Sequence, residues 1–166
     1  MSEREVRVNV LVWRPRDPRA PGDLAAGWPR VLQVRSARTV WQVPGVVLRP
    51  YESVMAAAGR AAYALGLELP TVHRALTIDQ RPALGRHPEQ LVIVVDGGWT
   101  DGEDVRVVSG SRFPRSAGCL YECRWAEAED LAEEIAVATA LSAALGKTPA
   151  FIVNQPPAGA CHGEGG

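Results

Sequence analysis

Val6, Val8, Val10 and Val12 alternate with Arg7, Asn9 and Leu11, the period-two pattern of a strand that ends at Arg14-Pro15. Residues 15–29 carry four Pro and two Gly and predict a loop. Arg30–Arg35 reads as a second strand and Thr39–Val43 as a short third, joined by a turn near Ser36–Arg38. Pro44-Gly45 ends that strand, and Val46–Leu48 continues as an extended segment. Ser53–Leu65 predicts the first helix: its alanines favour the state, Glu52 or Ser53 can cap it, and Gly66 closes it.

The second half repeats these signals in another order. Strands are expected at 72–79 and 90–95, the latter (QLVIVV) apolar enough for the centre of a sheet. Asp96-Gly97-Gly98 predicts a turn, with Asp96 accepting backbone N–H groups. Residues 101–117 are polar and Gly-punctuated, and 104–108 fits either short strand or loop. Gly118–Trp125 reads as a strand. Ala126–Leu145 reads as a long helix, with Leu131, Ile135, Ala138, Leu141, Ala144 and Leu145 spaced along one face. A short apolar FIV segment follows. Two helices set among these strands predict an α/β fold, a mixed-sheet α/β/α sandwich. One domain is expected over 1–155, with a flexible C-terminal tail over 156–166 and no internal repeat.

Composition adds limits. Apolar residues make up 46 % and charged residues 22 %, ordinary for a globular domain. No stretch approaches 18 uninterrupted apolar residues and the N-terminus has no signal-peptide pattern, so no membrane segment and a cytoplasmic location are expected. The net charge of -1 conceals an uneven spread. Residues 1–60 hold ten Arg and five acids, while 122–134 hold six acids against one Arg. Seventeen of the eighteen basic residues are Arg, which suits an anionic ligand, although a coding bias produces the same skew. No basic cluster with interleaved aromatics points to nucleic acid.

Residues 44–67, PGVVLRPYESVMAAAGRAAYALGL, together with RVLQVRSARTVWQVPG, EQLVIVVDGG, LYECRWAEAEDL and AFIVN, resemble the Nudix hydrolase superfamily over roughly residues 4–154. The resemblance implies a strand–loop–helix box, G-x5-E-x7-R-E-U-x-E-E-x-G-U. Its glutamates hold magnesium against a nucleoside diphosphate linked to another group. Aligned on Pro44-Gly45, Val46 replaces the first glycine of the box. Glu52 takes the first glutamate position and Arg60 the arginine position. Ala61, Ala64 and Leu65 stand where further glutamates belong. Moving the register by one residue recovers no carboxylate. Magnesium needs several hard oxygen ligands in near-octahedral order, and Ser53–Leu67 contains no Asp or Glu. The expectation is a degenerate box without a bound metal and without a cofactor.

The candidate residues follow from that frame. Glu52 is a lone acid or general base, or a helix cap. Arg60 either pairs with Glu52 or reaches a ligand phosphate. Tyr51 and Trp41 border the expected cleft as ligand-binding aromatics. Asp79, ending a strand near the cleft, is a replacement acid, and His87 in the GRHPEQ loop is an acid/base candidate. His73 stands alone. Cys119, Cys123 and Cys161 form neither a disulfide framework nor a plausible zinc set.

The functional expectation is a Nudix-fold protein acting as a metal-independent enzyme or a ligand-binding protein in small-molecule metabolism, biosynthesis included. Two alternatives stand beside it: residual hydrolysis of a nucleoside diphosphate-linked substrate, and a non-catalytic regulatory or interaction role. The partner expected is a small molecule, with neither nucleic acid nor membrane. A homodimer is implied only by the resemblance.

Overall fold

The computed structural model describes residues 4–36, 39–71, 74–101, 122–131 and 134–147, and the backbone of 151–154. Its elements run β1 (Glu5–Arg14), β2 (Arg30–Arg35), β3 (Gly45–Val47), α1 (Val54–Tyr63), β4 (Ala75–Arg81), β5 (Gln90–Trp99) and β6 (Glu122–Ala126). A 3-10 turn (Ala128–Leu131), α2 (Ile135–Ala144) and β7 (Phe151–Asn154) follow. His73, Cys119, Cys161, most of 101–117 and the tail 156–166 lie outside the described residues.

The strands form one mixed sheet in the order β6-β2-β1-β5-β4-β7, with β3 paired to β1 beside β2. β1–β5 and β4–β7 are parallel; the other ladders are antiparallel. Each face is covered by one helix, giving the α/β/α sandwich. The valine row of β1 packs with Leu32, Val95 and the buried Ala57, Ala58 and Ala61 of α1. The opposite face packs Leu11, Val31, Val92 and Val94 against Leu131, Val137, Ala140 and Leu141. The period-two alternation therefore sorts two cores onto two sides of the sheet. Among the described residues no helix is long and apolar enough to cross a membrane.

Four sequence expectations need correction. Thr39–Val43 is not a strand. Gln42 alone bridges to Val34, with a turn closed by Thr39 Oγ1 accepting from Ser36 N at 2.8 Å. Pairing resumes at Gly45, where the chain comes so close to β1 that a Cβ would lie 2.0 Å from Asn9 Oδ1 and 2.9 Å from the Val8 carbonyl.

The strand expected at 72–79 begins at Ala75 and runs on to Arg81. Asp96-Gly97-Gly98 does not reverse the chain either. β5 continues to Trp99, and the sequence absorbs a register slip against β1. Gly98 supplies a positive φ of 77°, and a Cβ on Gly97 would sit 2.7 Å from the Leu11 carbonyl. Asp96 Oδ1 does accept a backbone N–H, that of Gly98, at 2.9 Å.

The long helix expected from Ala126 is shortened. Ala126 pairs with Val31 as the last residue of β6, so sheet pairing overrides local helix propensity. α2 begins only after Glu134, whose φ of -103° and ψ of 69° are not helical.

Candidate functional site

α1 forms where the sequence places it. Its alanines lose no side-chain entropy on helix formation, and Ser53 Oγ accepts from Ala56 N at 3.1 Å, so Ser53 rather than Glu52 is the cap. At the far end Gly66 adopts φ 68°, and Leu67 N reaches back to the Ala62 carbonyl at 3.0 Å.

Glu52 is left for another partner. Its Oε1 accepts from Arg60 Nε at 3.0 Å, and its Oε2 accepts from an Arg60 terminal nitrogen at 2.8 Å. Oε2 also accepts from the Arg49 backbone N–H at 2.9 Å. The same Arg60 nitrogen donates to the Val47 carbonyl at 2.9 Å. This fork joins α1, the preceding loop and β3 in one bidentate latch. The Arg60 guanidinium, helped by the Arg49 N–H, holds the Glu52 carboxyl down at about 2.

The latch leaves little for a cation. Both oxygens of the lone box carboxylate are engaged, and Ala61, at a glutamate position of the box, is buried in the apolar core. Among the described residues no group of three or more His, Cys, Asp or Glu is placed to hold a metal ion. A hard, oxygen-seeking magnesium ion does not fit the residues present.

A second polar site lies on the opposite face of the sheet, around the start of α2. Alternation along β4 puts Thr77, Asp79 and Arg81 on the α2 side, where Thr77 Oγ1 donates to the Ala136 carbonyl at 3.3 Å. Asp79 is 0 % exposed. Its Oδ2 accepts from Arg81 Nε at 2.7 Å, while its buried Oδ1 has no partner among the described residues. A buried acceptor left unmade costs about 1–3 kcal/mol, so an orphan here marks a place where stability has yielded to something else.

On β2, Gln33 is buried among apolar neighbours. Its Oε1 accepts from Arg124 Nε across the β2–β6 ladder at 2.9 Å, and its Nε2 donates to Glu134 Oε1 at 3.4 Å. Burial pushes the Glu134 carboxyl up, and the charges of Arg81 and Arg124 pull it back in part. The Trp41 ring completes the group, with the Arg124 guanidinium carbon 4.7 Å and that of Arg35 4.6 Å from its centroid. Arg35 is itself paired with Glu122.

Of the six residues named from sequence, Trp41 meets the Arg124–Gln33–Glu134 chain directly, and Asp79 pairs with Arg81, which acts on Glu134 through its charge. Glu52 and Arg60 form the separate latch. Tyr51 sits at a φ of 63° with its ring fully exposed. His87 is exposed on a two-residue turn closed by backbone bonds to Leu84. Neither has a hydrogen bond to the network among the described residues. Gln33, Arg124 and Glu134 were missed. A glutamine at a core-facing position of β2 and an acid directly before an apolar helix were the available signals.

Beside the latch lies a groove with a cavity volume of about 590 Å³, bordered by Arg7, Ser36, Thr39, Gln42, Arg49 and Arg60. That size suits a small organic ligand.

No protein-family model and no curated protein matches this sequence. Solved structures do match its fold. An ADP-ribose pyrophosphatase from Streptococcus suis superposes with a TM-score of 0.56 at 13 % identity, over 89 % of this chain and 98 % of that one. A MutT protein from Methanosarcina mazei gives 0.52 at 15 % identity, over 88 % and 93 %. A Nudix hydrolase from Nitrosomonas europaea gives 0.51 at 14 % identity, over 89 % and 93 %. At such low identity these likenesses speak for architecture alone: the chain has the Nudix fold.

Proposed function

We propose that this protein binds a small molecule at the polar network beside the start of α2, where Trp41, Arg124, Gln33 and Glu134 meet. It does so without a metal held by the box helix, either as a ligand-binding protein or as a metal-independent enzyme. The observation that carries this reading is the occupation of both Glu52 oxygens by Arg60. That carboxylate acts as a structural clamp and is taken out of cation chemistry.

Recognition falls instead to residues with unused capacity. Asp79 offers a buried acceptor. Glu134, pushed toward its neutral form by burial, offers a donor or an acceptor according to its proton. Trp41 offers a flat apolar face at the rim. A ligand with a planar polar ring matches this set, and ADP-ribose, the compound named for the Streptococcus suis protein, belongs among the trial ligands.

The test is a melting-shift screen of metabolites in the presence of a chelator, with each hit followed by product analysis. A chelator-insensitive shift that is lost in E134Q and W41A supports the reading. Product formation then separates enzyme from binder. Magnesium-dependent hydrolysis that disappears in E52Q would overturn it.

A further inference from the structure

We infer that the ligand taken at the α2-side network carries a carboxylate, held end-on by the guanidinium of Arg124. This rests on the proposed function and deepens it, since it names the charged group of the ligand bound there.

Three arginines belong to this network, and two of them are already matched by a carboxylate. Arg35 is paired with Glu122. Arg81 gives its Nε to Asp79 Oδ2 at 2.7 Å. Arg124 differs: its Nε donates to the amide oxygen of Gln33 at 2.9 Å, and neither of its terminal nitrogens has a hydrogen bond or ion pair among the described residues. Glu134, the remaining acid of the group, does not fill that place. It accepts from Gln33 at 3.4 Å, and burial drives it toward its neutral form against the pull of Arg81 and Arg124. Arg124 therefore carries a charge that is oriented by a neutral amide and left open at the fork.

The guanidinium is also aimed. Gln33 is 1 % exposed, so the acceptor that engages the Nε edge is fixed within β2. The Trp41 ring, its centroid 4.7 Å from the guanidinium carbon, supports the plane from one side. With Nε and one face held, the two terminal nitrogens remain, and their parallel N–H bonds match the two oxygens of a carboxylate. A lysine would offer a point charge without that planar fork. The charge balance selects a monoanion. A phosphate dianion would bring a second negative charge beside Glu134, where Arg35 and Arg81 are already paired.

The experiment is calorimetric titration of the full chain with benzoate, in a chelator and at constant ionic strength. Benzamide, with the same ring and no charge, and inorganic phosphate are the comparisons. The expected result is benzoate binding about tenfold or more tighter than either, and weakened about tenfold or more in Arg124→Met. Arg124→Lys keeps the charge and loses the fork, so it should weaken binding too. Melting curves without ligand report folding, and Arg124→Lys carries the test if Arg124→Met does not fold. Arg19→Gln, an exposed charge in the loop before β2, should bind benzoate as the wild type does. Benzamide or phosphate binding as tight as benzoate, binding unchanged in both Arg124 variants, an equal loss in Arg19→Gln, or no benzoate binding would each overturn the inference.

The two readings can fail separately. A neutral hit from the metabolite screen, lost in E134Q and W41A, beside a flat benzoate titration would end the carboxylate inference and leave the proposed function standing. Magnesium-dependent hydrolysis lost in E52Q would end the proposed function and leave the benzoate result, taken in chelator, readable.

Discussion

The two sides of the sheet handle their charged residues in opposite ways. Next to α1, Glu52 and Arg60 satisfy one another within hydrogen-bond distance, and the helix face behind them is plain alanine. Next to α2, Asp79 keeps a buried oxygen without a partner among the described residues, and Glu134 is driven toward its neutral form. Closed polar pairs stabilise a fold without needing anything further. Open buried ones lower stability. On the α1 side, where a family resemblance directs attention, the Glu52 carboxylate is closed into an ion pair. The α2 side has the polar capacity left over.

The contrast can be broken most severely by returning charge to the α1 side. Ala61→Glu would place a carboxylate in a position that is 4 % exposed, packed against the valines of β1. Denaturant unfolding should show a loss of about 3 kcal/mol or more, as for an uncompensated buried charge. Ala64→Glu, at an exposed helix end, should change stability little. Equal, small effects of both would mean that the α1 face is not the sealed surface described.

The next effect has the opposite sign. Asp79→Leu removes the buried carboxylate with its orphaned oxygen, and the half-exposed Arg81 turns to water. The variant should be more stable by about 1 kcal/mol and should lose the melting shift given by any ligand of the network. A variant that is less stable but binds normally would make Asp79 a structural residue.

Acid and base limbs should separate the two sides as well. Glu52 titrates at about 2 in the folded chain, below the usual 4.5, so its contribution is present above pH 4.5 and is lost as pH falls toward 2. In E52Q that segment of the stability curve should flatten. Glu134 is shifted the other way. Its contribution is present at low pH and is lost as pH rises through its raised value. E134Q should therefore gain on the wild type as pH rises past that value. Urea midpoints between pH 2 and 8 check both signs.

The smallest effect belongs to Trp41. Removing its stacking on Arg35 and Arg124 in Trp41→Leu should cost about 1 kcal/mol, with a larger proportional loss in ligand-induced shift than in stability.

Much of this arrangement was legible from periodicity. Valine alternation placed β1, the alanine run placed α1, and the absence of acids from Ser53 to Leu67 was visible as written. Departures arose where tertiary contact decides. Asp96-Gly97-Gly98 has turn chemistry, yet parallel pairing with β1 draws it into a bulged strand. Ala126 has helix propensity, yet Val31 holds it in the sheet. The α2-side network was largely hidden because Gln33, Asp79, Arg124 and Glu134 come from four distant parts of the chain. Their meeting depends on strand order, and local pattern does not encode it.

The central claim, that Glu52 and Arg60 form a clamp and not a cation site, is tested most directly by calorimetric titration of metal-free protein with magnesium and manganese. The expected trace shows no submillimolar binding, and E52A differs from wild type only in a lower melting temperature. Submillimolar binding that vanishes in E52A would contradict the claim.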